Sequence, residues 1–100
     1  MIVRFALPDD AAVAQFDALT SAALPLIRSD REPGTLVYQT YAVEGEPLAR
    51  IFYEVYRDRA AHAEHELQPH TQEFLTAVRA IVTSIRVETC GEVEPEAHTR

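Results

Sequence analysis

Apolar residues recur along this 100-residue chain with two different periods, one typical of helices and the other of strands. In residues 13–23 they lie three or four positions apart, which predicts a helix with a single apolar stripe. Residues 35–43 and 48–56 are instead rich in β-branched and aromatic side chains, as strands usually are. The short turn between these two runs predicts an antiparallel hairpin. The stripe of the helix consists of Val13, Phe16, Leu19 and Ala23.

Acidic residues and prolines indicate where the helices begin and end. Asp9 or Asp10 can cap a first helix, in which Pro25 predicts a kink or a break. Asp58 can cap a second helix, and Pro69 suits the first turn of a third. The predicted strands are 2–7, 35–43, 48–56 and 84–93, and the later helices are 59–67 and one that begins at residue 69.

The order of these elements is βαββαβ, with the second helix broken in two. This order predicts an α+β fold, the ferredoxin-like plait with an antiparallel four-stranded sheet. We expect one domain, residues 1–93, followed by a polar C-terminal tail, residues 94–100.

The two central strands carry apolar or aromatic residues on both of their faces. Tyr38 and Tyr41 fall on opposite sides of the second strand, as Phe52 and Tyr53 do on the third. A sheet with one face in water would alternate more cleanly between apolar and polar residues. Because helices of the same chain can cover only one face, we expect a homodimer formed by sheet-to-sheet packing.

Charge and composition exclude several classes of function. The formal net charge is −7, so the chain would repel a phosphate backbone, and we expect no binding to nucleic acid. No segment approaches the roughly 20 apolar residues of a membrane span, and the apolar N-terminus is too short for a signal peptide, so we expect a cytoplasmic protein without membrane association. The single cysteine, Cys90, excludes an internal disulfide, and its strand predicts a small buried residue.

Four short motifs lie along the middle of the chain. They are the turn Glu32-Pro33-Gly34, a glutamate on the third strand (Glu54), Ala61 followed by His65, and Pro69-His70 followed by Phe74. Their combination resembles the pattern of the antibiotic biosynthesis monooxygenase family. The resemblance implies a dimeric ferredoxin-like αβ barrel. It also implies oxygenation of aromatic or quinol substrates without metal or flavin, so we expect no cofactor. Haem-degrading relatives rely on Asn and Trp, and this chain contains neither.

His65 and His70 are the candidates for the proton transfer that such a reaction requires. Oxygenation without a cofactor needs a base, a dry pocket and donors for the developing oxyanion. His65 lies near a predicted helix C-terminus, which favours imidazolium, whereas His70 lies in a first turn, which favours the neutral ring. We therefore expect His70 to be the base and His65 the proton donor or substrate anchor. Both histidines can equally be structural, buried and hydrogen-bonded or capping a helix.

Further side chains are candidates for substrate binding. Tyrosines can donate phenolic hydrogen bonds to a ligand, although they are also common at interfaces. Glu54 can bind substrate or pair with an arginine such as Arg57, Arg79 or Arg86 across the dimer. His62 and Glu66 are one helical turn apart, but no metal motif such as H-E-x-x-H is present, and we expect no metal. The predicted substrate-binding residues are Tyr38, Tyr53, Glu54 and Phe74.

These observations favour a cofactor-independent monooxygenase that oxidises a small aromatic or quinol-like substrate with O₂. Two alternatives stay open, because one fold hosts many functions. The first is an isomerase or other proton-transfer enzyme that uses the same histidines without O₂. The second is a non-catalytic dimer that binds a small ligand.

Overall fold

A computed structural model describes residues 1–91, which form four strands and three helices. Their order is the predicted plait, with the second helix divided into two at residue 68. The strands are β1 (Ile2–Ala6), β2 (Thr35–Val43), β3 (Glu46–Tyr56) and β4 (Ser84–Glu88). The helices are α1 (Asp10–Ile27), α2 (Arg59–Leu67) and α3 (Pro69–Arg79).

The strands form one antiparallel sheet in the order β2-β3-β1-β4. Tyr38 on β2 lies directly opposite Glu54 on β3, and Phe52 on β3 lies opposite Val3 on β1. These side chains alternate with exposed ones and point to the face that the helices cover. The fold is therefore α+β and ferredoxin-like, as the order of elements predicted.

The residues predicted at the helix N-termini are found there in all three helices, and two of them are side-chain caps. Asp9 accepts a hydrogen bond from the backbone N–H of Ala12 at 2.8 Å at the start of α1. Asp58 accepts the corresponding bond from Ala61, also at 2.8 Å, at the start of α2. Pro69 occupies the first turn of α3, where its missing N–H removes no helical hydrogen bond.

Three details predicted for the first half of the chain differ from the structure. Strand β1 ends at Ala6 and not at residue 7. Of the kink or break expected at Pro25, the break is absent, since α1 continues to Ile27. Pro25 lies in the last turn, so the only intrahelical bond it removes is the one to the carbonyl of Ser21, an exposed residue. Strand β3 begins at Glu46 rather than at residue 48, because Gly45 completes the turn with a φ of 78°.

The last strand is shorter than predicted. It was expected over residues 84–93 but ends at Glu88, the residue that pairs with Ile2, where β1 begins. Beyond that position β4 has no neighbouring strand to hydrogen-bond. Cys90 therefore follows the strand and is exposed, not buried as predicted. Residues 92 and 93, with the tail 94–100, lie outside the described residues.

The hydrophobic core lies between the sheet and the helices. Its largest fully buried side chains come from β1, α1, β3 and α3, and the three phenylalanine rings among them pack 4.7–5.7 Å apart. They are Phe5, Phe16, Phe52 and Val78. On the other face of the sheet, Tyr41 and Tyr53 keep 51% and 43% of their surface exposed. Among the helices of residues 1–91, none has the length and apolarity that crossing a bilayer demands.

Candidate active site

A cavity of about 190 Å³ lies between the sheet and helices α2 and α3. Most of its wall is apolar, supplied by β1, β4 and the inner face of α3. Polar groups enter it mainly from α2 and from the centre of the sheet. The polar lining residues are Tyr38, Glu54, His62, His65, Glu66, Thr71 and Arg79, and the apolar ones are Met1, Val3, Phe5, Ile27, Phe74, Leu75, Ile85 and Val87.

His65 is the buried imidazole of this cavity. It lies in the last turn of α2 and is 6% exposed. Its Nδ1 atom is 2.6 Å from Oε1 of Glu32, and its ring stands 5.4 Å from the rings of both Tyr38 and Tyr56. With Nδ1 occupied by the carboxylate, Nε2 has no hydrogen-bond partner among residues 1–91. A base whose free nitrogen adjoins an apolar cavity can take a proton from a bound ligand.

His70 is buried beside the same carboxylate but does not line the cavity. Its Nε2 atom hydrogen-bonds Oε2 of Glu32, so that one carboxylate joins both imidazoles. Thr35 adds a third bond, its hydroxyl donating to Oε1 of Glu32 at 2.8 Å. The structure thus brings the two predicted histidines together through Glu32 but exposes only His65 to the cavity.

A close backbone contact brings Glu32 to the histidines. A Cβ atom added to Gly34 would lie 2.4 Å from Cβ of Ala61, so only glycine lets the 32–34 turn approach α2 this closely. Ala61 is one turn before His65 on α2. The contact therefore explains why the E-P-G turn and the Ala-x-x-x-His spacing occur in one sequence.

The Gly34→Ala variant should be clearly destabilised because its new methyl group overlaps Ala61. We expect a loss of about 1–3 kcal/mol in the free energy of unfolding, the usual cost of overpacking. Chemical denaturation measures this loss. Gly91→Ala is the matched control, since no atom lies within 4 Å of the added Cβ, and its stability should equal that of the wild type. Equal stability of both variants would contradict the close packing of turn and helix.

Glu54 forms the second buried polar group of the cavity. It is 5% exposed and accepts a hydrogen bond from the hydroxyl of Tyr56. Tyr38 lies beside it on the neighbouring strand. Burial, followed by the negative charge of Glu54, raises the pKa of both Tyr38 and Tyr56 far above the ordinary value of 10.0. Both phenols are therefore protonated at neutral pH and can act as donors, not as bases.

These phenols should make the folded state less stable at high pH. Above pH ~10 the unfolded chain releases its phenolic protons, whereas the native protein retains those of Tyr38 and Tyr56. The native state then binds more protons than the unfolded state, so the free energy of unfolding falls as pH rises. The Tyr56→Phe variant should lose less stability than the wild type between pH ~8 and ~11 in urea unfolding. Identical pH dependences would contradict the buried phenol.

Of the other predicted site residues, some line this cavity and one does not. Phe74 lies in its wall. Tyr53, also predicted to bind substrate, lies on the opposite face of the sheet and does not line the cavity. His62 and Glu66 border the cavity with their side chains 3.9 Å apart. Within residues 1–91, no three or more His, Cys, Asp or Glu side chains are arranged to hold a metal ion.

Sequence reasoning did not recognise Glu32 as a site residue. Glu32 was predicted only to be part of a turn motif, although the residue is 4% exposed and its carboxylate contacts both histidines. A glutamate before Pro-Gly is an unremarkable turn residue, and the sequence alone gives no signal that it is buried. Arg79 at the cavity was named only as a possible ion-pair partner of Glu54.

Comparisons with known proteins agree on one family. The family model of the antibiotic biosynthesis monooxygenases matches residues 1–77. A protein from Nitrosomonas europaea, provisionally named an antibiotic biosynthesis monooxygenase, superposes with a TM-score of 0.80 at 23% identity, covering 94% of this chain and 88% of its own. A protein of Caulobacter crescentus with the same provisional name gives 0.82 at 21% identity, covering 93% and 88%.

A third solved structure, from Mycobacterium tuberculosis, has a TM-score of 0.75 and 26% identity and covers 93% of this chain and 95% of its own. No curated protein sequence matches the chain significantly. The family model spans most of the described residues, including the E-P-G turn, both buried histidines and Phe74. The chain belongs to the antibiotic biosynthesis monooxygenase family.

Proposed function

We propose that this protein is a monooxygenase that oxidises a small phenol or hydroquinone with O₂, using His65 as the base. The base predicted from the sequence was His70, but of these two histidines only His65 lines the cavity. The observation that carries the proposal is the cavity, in which one buried imidazole with a free nitrogen adjoins a largely apolar wall. Membership of a monooxygenase family supports the reaction type. The apolar wall suits an aromatic ring, and the few polar groups can orient its hydroxyl.

The size of the cavity favours a substrate with one aromatic ring. An engineered protein cavity of about 150 Å³ accommodates benzene. The volume of about 190 Å³ fits such a ring with one or two hydroxyl groups more closely than it fits two fused rings. Phe74 and Leu75 from α3 would pack against the ring, with Ile85 and Val87 from β4.

The reaction balances without an external reductant. A hydroquinone, C₆H₆O₂, and O₂ give a hydroxyquinone, C₆H₄O₃, and water. The substrate supplies all four electrons: one oxygen atom forms a new bond to ring carbon, and the other leaves as water with two protons. Loss of the hydroxyl proton to His65 makes the ring electron-rich enough to reduce O₂.

The residues around His65 suit this proton transfer. Its position at the C-terminal end of α2 favours the imidazolium that forms, and the Glu32 carboxylate at 2.6 Å stabilises the same charge. Tyr38 lines the cavity and carries its proton, so it can donate a hydrogen bond to the substrate oxyanion. Glu54 can accept a hydrogen bond from a substrate hydroxyl and so fix the orientation of the ring.

Oxygen uptake by the purified protein with a panel of hydroquinones tests this function. We expect consumption of O₂ above the rate without protein for one-ring hydroquinones, and slower consumption for fused-ring ones. Conversion of the ligand without O₂ uptake would favour the isomerase instead. A ligand-dependent rise in melting temperature without any conversion would favour a non-catalytic binding protein. Either result would overturn the proposed monooxygenase.

We also propose that two copies of the chain pack through the outer face of the sheet. Tyr41 and Tyr53 are half-exposed there and stand beside Ile51 and Val55 of β3. An exposed apolar sheet face is a common site of association between proteins. Because this face is opposite to the cavity, the association leaves the cavity wall within each subunit.

The homodimer predicts a molecular mass of twice 11.2 kDa in sedimentation at micromolar concentration. The Tyr53→Glu variant should sediment as a monomer, since it would bury a carboxylate in an apolar interface. Leu67→Glu is the matched control, because Leu67 is 72% exposed on α2, away from the sheet. A wild-type mass near 11.2 kDa would contradict the dimer.

A further inference from the structure

Glu32 is buried but does not line the cavity, so contact with a substrate does not explain why a carboxylate lies there. Its side chain is 1% exposed, and its only ion-pair partners in residues 1–91 are the two histidines. Transfer of an ionised carboxylate out of water is costly unless hydrogen-bond donors or cations compensate it. The compensation here comes from His65, His70 and Thr35, which contact both of its oxygen atoms.

We propose that Glu32 is the positioning residue of the base: it accepts the Nδ1–H proton of His65 and thereby leaves the lone pair on Nε2, the nitrogen free to take a proton from the ligand. His70 and Thr35 hold the carboxylate in this orientation. The proposal deepens the proposed function and rests on it for the role of His65 as a base. The position of the ring proton, however, is a property of the protein without any substrate.

The contacts define the direction of each hydrogen bond. A carboxylate only accepts, so a histidine beside each of its oxygen atoms must present an N–H to it. His65 uses Nδ1 and His70 uses Nε2. When the rings are neutral, the proton therefore lies on Nδ1 in His65 and on Nε2 in His70, although both rings contact Glu32. A carboxylate that fixes the tautomer of an imidazole and stabilises its imidazolium form is the role of the aspartate in serine-protease triads.

The surroundings of His65 favour placing the reaction's positive charge on this ring and not on His70. His65 lies at the negative end of α2, whereas His70 lies in the first turn of α3, whose positive end disfavours imidazolium. The groups that face His65 from the other elements are the protonated phenols of Tyr38 and Tyr56 and the hydroxyl of Thr71 at 3.5 Å. The carboxylate of Glu54 and the guanidinium of Arg79, of opposite charge, line the same cavity. From α2 itself, His62 and Glu66 line the same cavity.

Nitrogen NMR of the imidazole rings tests the proposal without a substrate. In wild-type protein, at a pH where the rings are neutral, we expect the proton of His65 on Nδ1 and that of His70 on Nε2. A proton on Nε2 of His65, or a ring that stays doubly protonated throughout the stable pH range, would overturn the proposal. Because this measurement uses the wild type, it remains decisive even if variants of Glu32 do not fold.

The Glu32→Gln variant adds a second, independent test. A carboxamide has one accepting oxygen and one donating nitrogen, so it cannot accept hydrogen bonds from both rings. At least one of the two histidines should therefore change its tautomer. The matched control is Glu64→Gln on the exposed side of α2, which should leave both rings as in the wild type. Unchanged tautomers in Glu32→Gln would contradict the assignment.

Kinetics separate this inference from the proposed function. With an active hydroquinone, Glu32→Gln should lower kcat by up to about 10⁴-fold, the loss that follows replacement of the orienting carboxylate in a triad, and leave KM nearly unchanged because Glu32 does not line the cavity. If no hydroquinone is oxidised but the tautomers are as stated, the monooxygenase fails and the positioning of His65 stands. If oxidation occurs and Glu32→Gln retains wild-type kcat, the inference fails alone.

Discussion

Replacing His65 by asparagine should lower the turnover of an active hydroquinone by about 10²–10⁴-fold, the usual contribution of a general base. The amide nitrogen of asparagine can replace Nδ1 and keep the hydrogen bond to Glu32, which in the wild type spans 2.6 Å. The amide cannot take a proton near neutral pH. The variant therefore removes the base but keeps a hydrogen-bond donor for the Glu32 carboxylate. Oxygen uptake per folded molecule measures the effect.

The control for this variant is Glu64→Gln, an exposed change one position earlier on α2. It should retain wild-type turnover and stability. The His65→Asn variant should still bind the hydroquinone, because the apolar cavity wall is intact. If His65 is only structural, the order of effects reverses: the melting temperature falls and turnover per folded molecule stays at the wild-type level.

Truncation of Phe52 to alanine should produce the largest loss of stability among single substitutions, about 3–5 kcal/mol. Phe52 is 2% exposed and packs between Phe5, Phe16 and Phe74 at centroid distances of 4.7, 5.7 and 6.0 Å. Its neighbours belong to β1, α1 and α3, so a cavity at this position loosens every layer of the core.

Denaturant unfolding at fixed protein concentration measures this loss. Leu67→Ala is the matched control: the same kind of apolar truncation at a side chain that is 72% exposed should change stability by less than about 0.5 kcal/mol. If the two variants lost similar stability, the aromatic cluster would not be the centre of the core. Phe52→Ala should also weaken ligand binding indirectly, because Phe74, its stacking partner, lies in the cavity wall.

Local patterns in the sequence were sufficient to predict the elements of the fold. The apolar stripe of α1, the hairpin of β2 and β3, and the caps Asp9 and Asp58 all depend on neighbouring residues. The end of β4 could not be predicted in this way. It depends on the length of β1, a strand more than 75 residues earlier in the chain, as the pairing of Ile2 with Glu88 illustrates.

The candidate site was only partly predictable, for a similar reason. His65 and His70 stood out because imidazoles are rare and chemically versatile. The sequence did not indicate which face of the strands lines the cavity, so Tyr53 was predicted together with Tyr38, Glu54 and Phe74, although only the latter three line it. The sequence could not reveal that Glu32 meets both histidines, since that contact depends on the close approach of Gly34 to Ala61. The sequence likewise could not indicate which imidazole borders a cavity. Both histidines face the interior and are almost equally buried, so a pattern that predicts burial does not separate them.

The most direct test of the central claim is the fate of isotopically labelled dioxygen in a reaction with a one-ring hydroquinone. The proposed chemistry predicts one labelled oxygen atom in the hydroxyquinone product and the other in water. This product should form rapidly with the wild-type protein and at a rate lower by about 10²–10⁴-fold with His65→Asn. An unlabelled product, or a labelled one that forms equally fast with both proteins, would contradict the assignment of His65 as the base of an oxygenase.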